Sequence, residues 1–213
     1  MNKYEETFET WNKIAHLYED KFMNLSLYDE TYDYFCNILK QEHINIFEIG
    51  CGPGNITKYL LSKSPNLKIK GIDIAPKMIE LAKANNPSAE FELMDTRNLN
   101  TLNQKFDAIM CGFCLPYLSH SDCSKLITDS EKILYNDGIL YLSFVKGKPS
   151  ESGFISGSTG NRTYFYYHTL EDISNELSIN NFDIIKLFEV NYPKGEDVEI
   201  HTIIIAKKTG QSI

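Results

Sequence analysis

No stretch of this 213-residue chain approaches the roughly 20 consecutive apolar residues that a membrane-spanning helix requires. Its first residues, Met1-Asn2-Lys3-Tyr4-Glu5-Glu6, lack the basic start and apolar run of a secretory leader, so a cytoplasmic location is expected. Clustered positive charge is missing too. The chain carries 21 basic and 29 acidic residues, a net charge of −8, and its longest lysine cluster is Lys207-Lys208. A nucleic-acid binder displays a basic patch or stripe. A small molecule or a protein is therefore the expected partner, with no nucleic acid and no membrane. No internal repeat is visible. Cys36, Cys51, Cys111, Cys114 and Cys123 are an odd number with no export signal, so disulfides are not expected. Cys111-x-x-Cys114 has metal-ligand spacing, but a structural zinc site takes four ligands and no second pair exists, so no metal site is predicted. A redox role for that pair stands beside simple packing. What is left is an ordinary globular composition, 42% hydrophobic and 23% charged, at a length that suits one domain.

What the chain does have begins at Ile44. A β-prone run ends in Phe47-Glu48-Ile49 and passes into Gly50-Cys51-Gly52-Pro53-Gly54-Asn55, after which Ile56, Tyr59 and Leu60 take up a helical pattern. Strand, glycine turn and helix start together make a nucleotide-binding element. Glycine adopts backbone angles that side chains forbid and lets a ligand approach the main chain. The helix start beyond it offers free N–H groups. Three more apolar runs follow in register, each with an acid. Ile69-Lys70-Gly71-Ile72 ends at Asp73, 23 residues after Gly50. Phe91-Glu92-Leu93-Met94 ends at Asp95, and Phe106-Asp107-Ala108-Ile109-Met110-Cys111 opens with its acid. About 20 residues separate the glycine turn from the ribose-binding acid of a dinucleotide fold. Asp73 is thus placed to take both hydroxyls of a ribose, and Asp95 to accept from an exocyclic adenine amine. An isolated Asp is more often a turn or cap residue, but three acids in order on successive strand ends speak against that.

These residues resemble the class I S-adenosylmethionine-dependent methyltransferases. The family's first motif, acid-x-Gly-x-Gly-x-Gly, is matched by Glu48 through Gly54. Its second is matched by Gly71-Ile72-Asp73-Ile74-Ala75-Pro76-Lys77-Met78, its third by Met94-Asp95-Thr96, and its fourth resembles Phe106 through Cys111. A later run, Asp137-Gly138-Ile139 through Phe144, resembles the strand that follows. The resemblance covers roughly residues 44 to 145. Where the family often has an aromatic pair with His, this chain has Leu115-Pro116-Tyr117-Leu118. The resemblance implies S-adenosylmethionine as cofactor, held by Glu48, Gly50, Cys51, Gly52, Asp73, Ile74, Met78, Asp95, Thr96 and Cys111, and methyl transfer to an O, N or S atom of a small acceptor. A nicotinamide-dependent oxidoreductase is the first alternative. Its third glycine, or Ala, falls three residues past the second, where this chain has Asn55, and Glu48 suits a cationic amino-acid group better than a pyrophosphate. A non-catalytic relative serving as a partner subunit is the second.

The implied fold is a seven-stranded α/β sheet, six strands parallel and the last antiparallel, with helices on both faces. One domain is expected over residues 1–213, with a helical cap over 1–43 and a Rossmann-like core over 44–213, in a monomer or homodimer. Phe8, Trp11, Ala15, Tyr18 and Phe22 mark one face of a helix, and Tyr28, Tyr32, Phe35 and Leu39 mark another. The first helix either packs on the helical layer or lids the cofactor with Tyr18 at its amino-acid end. Residues 145–161, rich in Gly and Ser, read as one long irregular stretch, and such a loop is usually functional or disordered. An aromatic block, Arg162 to His168, follows. Tyr164, Tyr166 and His168 alternate, so in an extended segment they share a face and form a wall of the acceptor site. Tyr117 and His168 are the catalytic candidates, with His16 and His201 as others near the mouth; Phe182 to Val190 and Val198 to Ala206 close the chain as an antiparallel pair.

Overall fold

A computed structural model describes residues 2–39, 44–157, 160–195 and 197–210. The expected cap–core boundary at residue 43 and Ser158 of the glycine-rich stretch lie outside the described residues. Helices α1 (Lys3–Lys13), α2 (Ala15–Phe22) and α3 (Asp29–Ile38) lead into the alternating core. That core runs β1 (Asn45–Ile49), α4 (Asn55–Lys63), β2 (Lys68–Asp73), α5 (Pro76–Asn85), β3 (Glu90–Leu93), β4 (Phe106–Cys111), α6 (His120–Ile133) and β5 (Leu134–Val145). A hairpin, β6 (Gly153–Ser156) and β7 (Arg162–Phe165), precedes α7 (Leu170–Ile179), β8 (Phe182–Lys194) and β9 (Asp197–Lys208).

The seven-stranded sheet has the order β3-β2-β1-β4-β5-β9-β8. Strands β1 to β5 pair in parallel, and β9 lies antiparallel to both β5 and β8, so β8 points the same way as the first five. The expected count of six parallel strands and one antiparallel last strand is met. Parallel strands are buried on both faces and therefore apolar throughout, which explains why Ile46, Phe47, Ile49 and Ala108 through Cys111 are all inaccessible. One face packs against α6 and α7 through Phe106, Leu126, Ile127, Leu142 and Leu177. The other packs against α3 and α4 through Tyr32, Phe35, Leu60 and Tyr141.

Local signals set the helix starts. Asn2 caps α1 in a reciprocal capping box with Glu5, Pro76 occupies the first turn of α5, and the Ser119 and Thr169 side chains accept from the N–H groups of Asp122 and Asp172 at the starts of α6 and α7. The first aromatic stripe is not one helix, because the chain breaks at Ile14 (φ −101°, ψ 15°) between α1 and α2. Nor is 145–161 uniformly irregular. Gly153–Ser156 pairs antiparallel with Arg162–Phe165, and α1 fastens that hairpin. Thr10 Oγ1 donates to the Arg162 carbonyl at 2.8 Å, and the Tyr164 N–H donates to Thr7 Oγ1 at 2.9 Å. Helices α1 and α2 also pack Ala15, Trp11 and Tyr18 onto Ala75 and Met78 at the start of α5. The cap therefore lies over the carboxyl ends of the parallel strands, where open α/β sheets bind ligands.

Candidate functional site

Between β1 and α4 the backbone turns through three left-handed glycines, Gly50 (φ 66°), Gly52 (φ 53°) and Gly54 (φ 80°). The region costs an L side chain roughly 1–2 kcal/mol. At Gly54 a Cβ would also lie 2.3 Å from Asn86 Nδ2, which donates to the Gly54 carbonyl at 2.9 Å. Asp73, at the tip of β2, stitches the turn to the next strand. Its Oδ2 accepts from the Gly52 N–H at 3.0 Å and its Oδ1 from the Ala75 N–H at 2.9 Å. Burial pushes its carboxyl up, and those amides oppose the rise. A carboxylate oxygen has two acceptor directions, so both oxygens keep capacity for a ligand.

Two cavities open above this turn. The acid-lined one is bounded by Gly50, Gly52, Asp73, Ile74, Met78, Asp95 and Thr96, with Phe8 and Leu118 opposite. In it Asp95 receives the Arg97 Nε–H at 3.0 Å and the Arg97 amide at 2.8 Å. Burial would raise that carboxyl, but the Arg97 contacts hold it below its ordinary range. The second cavity is aromatic. Nine aromatic side chains line it, among them Trp11, Tyr28, Tyr32, Phe165 and Tyr192, together with Cys51, Val145, Glu199 and His201. Trp11, Tyr18, Gly50, Gly112, Phe113 and Tyr117 border both cavities, so the two are adjacent and share a wall. Trp11 is the centre of that wall, with Tyr18 edge-on at 5.5 Å and Tyr117 at 5.1 Å between ring centroids. Phe113 sits there at φ 56°, a strained angle for an aromatic residue, held by its N–H donating to Ser143 Oγ at 2.7 Å. Such outliers cluster at functional sites.

The structure gathers most of the expected site residues and disperses three. Tyr18, Gly50 and Tyr117 border both cavities, Gly52, Asp73, Ile74, Met78, Asp95 and Thr96 border the acid-lined one, and Cys51 borders the aromatic one. Cys111 borders neither. It ends β4 inside the core, and the chain meets the cavities only at Gly112, Phe113 and Cys114. Glu48 also borders neither. It is buried under the turn, with Oε2 accepting from the Thr57 hydroxyl and Oε1 unpartnered among the described residues, and burial pushes its carboxyl up to about 8. His168 is the clearest correction. It is fully buried, its Nε2 lies 3.0 Å from the Leu115 carbonyl, and its ring packs on His120 and Phe144. Burial lowers its pKa. The wall expected from Tyr164, Tyr166 and His168 faces away from the cleft. Tyr166 stacks on Tyr4 of α1, and Lys3 lies over the rings of Tyr164 and Tyr166. It is Phe165, of opposite parity, that reaches the aromatic cavity. Asp107, the fourth acid, sits at the other edge of the sheet, accepting from the Asn45 N–H at 2.8 Å.

Sequence reasoning gave His201 too little weight. Glu199 and His201 are two apart on β9 and so share a face, a signal present in the sequence, and both line the aromatic cavity. They arrive there because β9 is antiparallel: His201 pairs with Val145, the last residue of β5, at the carboxyl edge.

Among the described residues no helix is long and apolar enough to cross a membrane, and no group of three or more His, Cys, Asp or Glu residues could hold a metal. The acid-lined cavity fits an adenosine-bearing ligand. The carboxylates of Asp73 and Asp95, at successive strand tips, and the apolar side chains of Ile74 and Met78 line one groove beside a glycine turn. Residues 46–138 match a family model described as a methyltransferase domain. The chain is 33% identical over 105 residues to a malonyl-[acyl-carrier protein] O-methyltransferase of Acetivibrio thermocellus, covering 48% of this chain and 36% of that one. It is 26% identical over 192 residues to a ubiquinone/menaquinone biosynthesis C-methyltransferase of Campylobacter jejuni, covering 84% and 79%. The chain spans about half the length, or less, of several relatives it matches. Magnesium protoporphyrin IX methyltransferase from Synechocystis, solved with bound S-adenosylmethionine, shares the fold at a TM-score of 0.73 and 16% identity, covering 98% of both chains.

Proposed function

We propose that the chain is a class I S-adenosylmethionine-dependent methyltransferase, a reading supported by the family-model match over residues 46–138 and the shared fold, and that it methylates an O, N or S atom of a small molecule held in the aromatic cavity. The single observation that carries this is the shared wall. A cofactor in the acid-lined cavity and an acceptor in the aromatic one would lie on either side of Tyr18, Gly50, Phe113 and Tyr117, which border both. When bound, S-adenosylmethionine supplies a methyl group already activated on a sulfonium. The protein's share is then positioning and a dry site. Asp73 takes the ribose hydroxyls, Asp95 and Thr96 stand at the adenine end, and Ile74 and Met78 flank the base. Tyr18 and Trp11, carried on the cap, close the cleft against water. Tyr117 presses on Trp11 and orients the acceptor.

The relatives act on different atoms, as their names state O- and C-methylation, so the acceptor is assigned from this chain's own cavity below. Titration calorimetry with S-adenosylmethionine, S-adenosylhomocysteine and NAD tests the cofactor assignment. The first two should bind one per chain and NAD should not. Label transfer from methyl-labelled cofactor into a metabolite extract then tests the activity. Cofactor binding without transfer to any metabolite would favour the partner-subunit role instead.

A further inference from the structure

We propose that the acceptor is a small aromatic hydroxyl compound, a phenol, and that His201 takes its proton as the oxygen is methylated. This rests on the methyl-transfer assignment above. His201 is buried, and its ring is sandwiched between Tyr192 (4.7 Å, 9° between planes) and Tyr28 (6.0 Å, 6°). Its Nδ1 lies 2.7 Å from the Tyr28 hydroxyl, whereas Nε2 has no hydrogen-bond partner among the described residues although the ring borders the aromatic cavity. A buried unpaired ring nitrogen costs free energy unless something arrives to pair with it. Phe113 of the common wall is 5.0 Å from the His201 ring between centroids, so the imidazole packs directly against a side chain that borders both cavities.

The step balances with these groups. With Nδ1–H donating to the Tyr28 oxygen, Nε2 presents a lone pair. It takes the phenolic proton while an oxygen lone pair forms the bond to the methyl carbon and the carbon–sulfur bond breaks, its electrons going to sulfur. The imidazolium so formed has the Glu199 carboxylate 3.8 Å from Nε2 to stabilise it. Burial lowers the pKa of His201, so the ring is neutral and ready to accept at neutral pH. The titratable and charged groups that face it are Tyr28, Tyr192, Glu199 and, behind Glu199, Lys194.

The cavity selects among acceptors by its lining. Nine aromatic walls suit a flat ring. Among the described residues no Lys or Arg lines it, and the acid that does, Glu199, would repel a carboxylate. Glu199 is engaged on both sides, one oxygen paired with Lys194 and the other facing His201. A phenol, with a pKa near that of tyrosine at about 10, gives up its proton to an imidazole far more readily than an aliphatic alcohol does.

The test uses His201→Gln and Tyr28→Phe beside the parent protein. Calorimetry with S-adenosylmethionine comes first. Loss of binding in the parent would defeat the methyl-transfer assignment itself. With binding present, 2-naphthol should perturb the absorbance of the cofactor-free parent on binding. Phenol, catechol and 2-naphthol should be methylated in preference to benzylamine and benzoate. His201→Gln should keep cofactor affinity and lose at least about 100-fold in kcat on phenol, Tyr28→Phe should lose less, and the loss in His201→Gln should nearly vanish on 4-nitrophenol at a pH where that acceptor is already ionised. Methylation of benzylamine or benzoate in place of the phenols, no transfer to any phenol, or an equal loss on phenol and 4-nitrophenol would each overturn the proposal while leaving the cofactor assignment standing.

Discussion

Replacing Glu48 with glutamine should change how the stability of this protein depends on pH. The carboxyl is fully buried beneath the glycine turn, it accepts from the Thr57 hydroxyl, and its second oxygen is unpartnered among the described residues. Burial raises its pKa from an ordinary 4.5 to about 8; Thr57 opposes the rise and Asp73 adds to it. Because the folded-state pKa is the higher one, the contribution is complete below about pH 4.5, where folded and unfolded chains both hold the proton. Between 4.5 and 8 only the folded chain holds it, and stability falls as pH rises until the contribution is lost above 8. At about 1.4 kcal/mol per pH unit the loss reaches about 5 kcal/mol at most, a large share of the roughly 5–15 kcal/mol typical of a domain. A glutamine amide has the shape of the protonated acid and no charge to form. Urea unfolding at half-unit steps across the neutral range should therefore show the parent losing stability relative to Glu48→Gln, the gap growing by several kcal/mol. Curves that stay parallel within about 1 kcal/mol would refute the argument, because a one-unit pKa difference alone is worth more than that.

Asp73→Asn can keep only one of the bonds from Gly52 and Ala75, which donate to different oxygens, and it loses the charge that a ribose would meet, so cofactor affinity should fall at least about tenfold by calorimetry at unchanged far-UV circular dichroism. Gly54→Ala combines a left-handed angle with a Cβ 2.3 Å from Asn86, and should cost about 2–4 kcal/mol in urea unfolding. His168→Ala removes a buried ring and leaves the Leu115 carbonyl without that contact, so it should cost about 2–4 kcal/mol of stability while cofactor affinity of the folded fraction is retained. An unchanged urea midpoint would return His168 to the list of functional residues.

What the sequence determined by itself was everything whose cause is local. The strand–turn–helix at Gly50–Gly54 and Asp73 and Asp95 at strand tips follow from spacing and side-chain chemistry within a few residues. The antiparallel last pair was legible because its turn is too short for a crossover. Three matters were decided only by the tertiary structure. Parity along an extended segment shows which residues share a face but not which face meets the cleft, so Phe165 took the place expected for Tyr164, Tyr166 and His168. A strand end can stop short of a ligand, and Cys111 stays in the core while Phe113, held at a strained angle, reaches the common wall. Glu199 and His201 lie about 150 residues beyond the glycine turn in sequence. They reach the cleft because β9 runs against β5 and so starts at the carboxyl edge where its neighbour ends, and no spacing within the chain encodes that pairing.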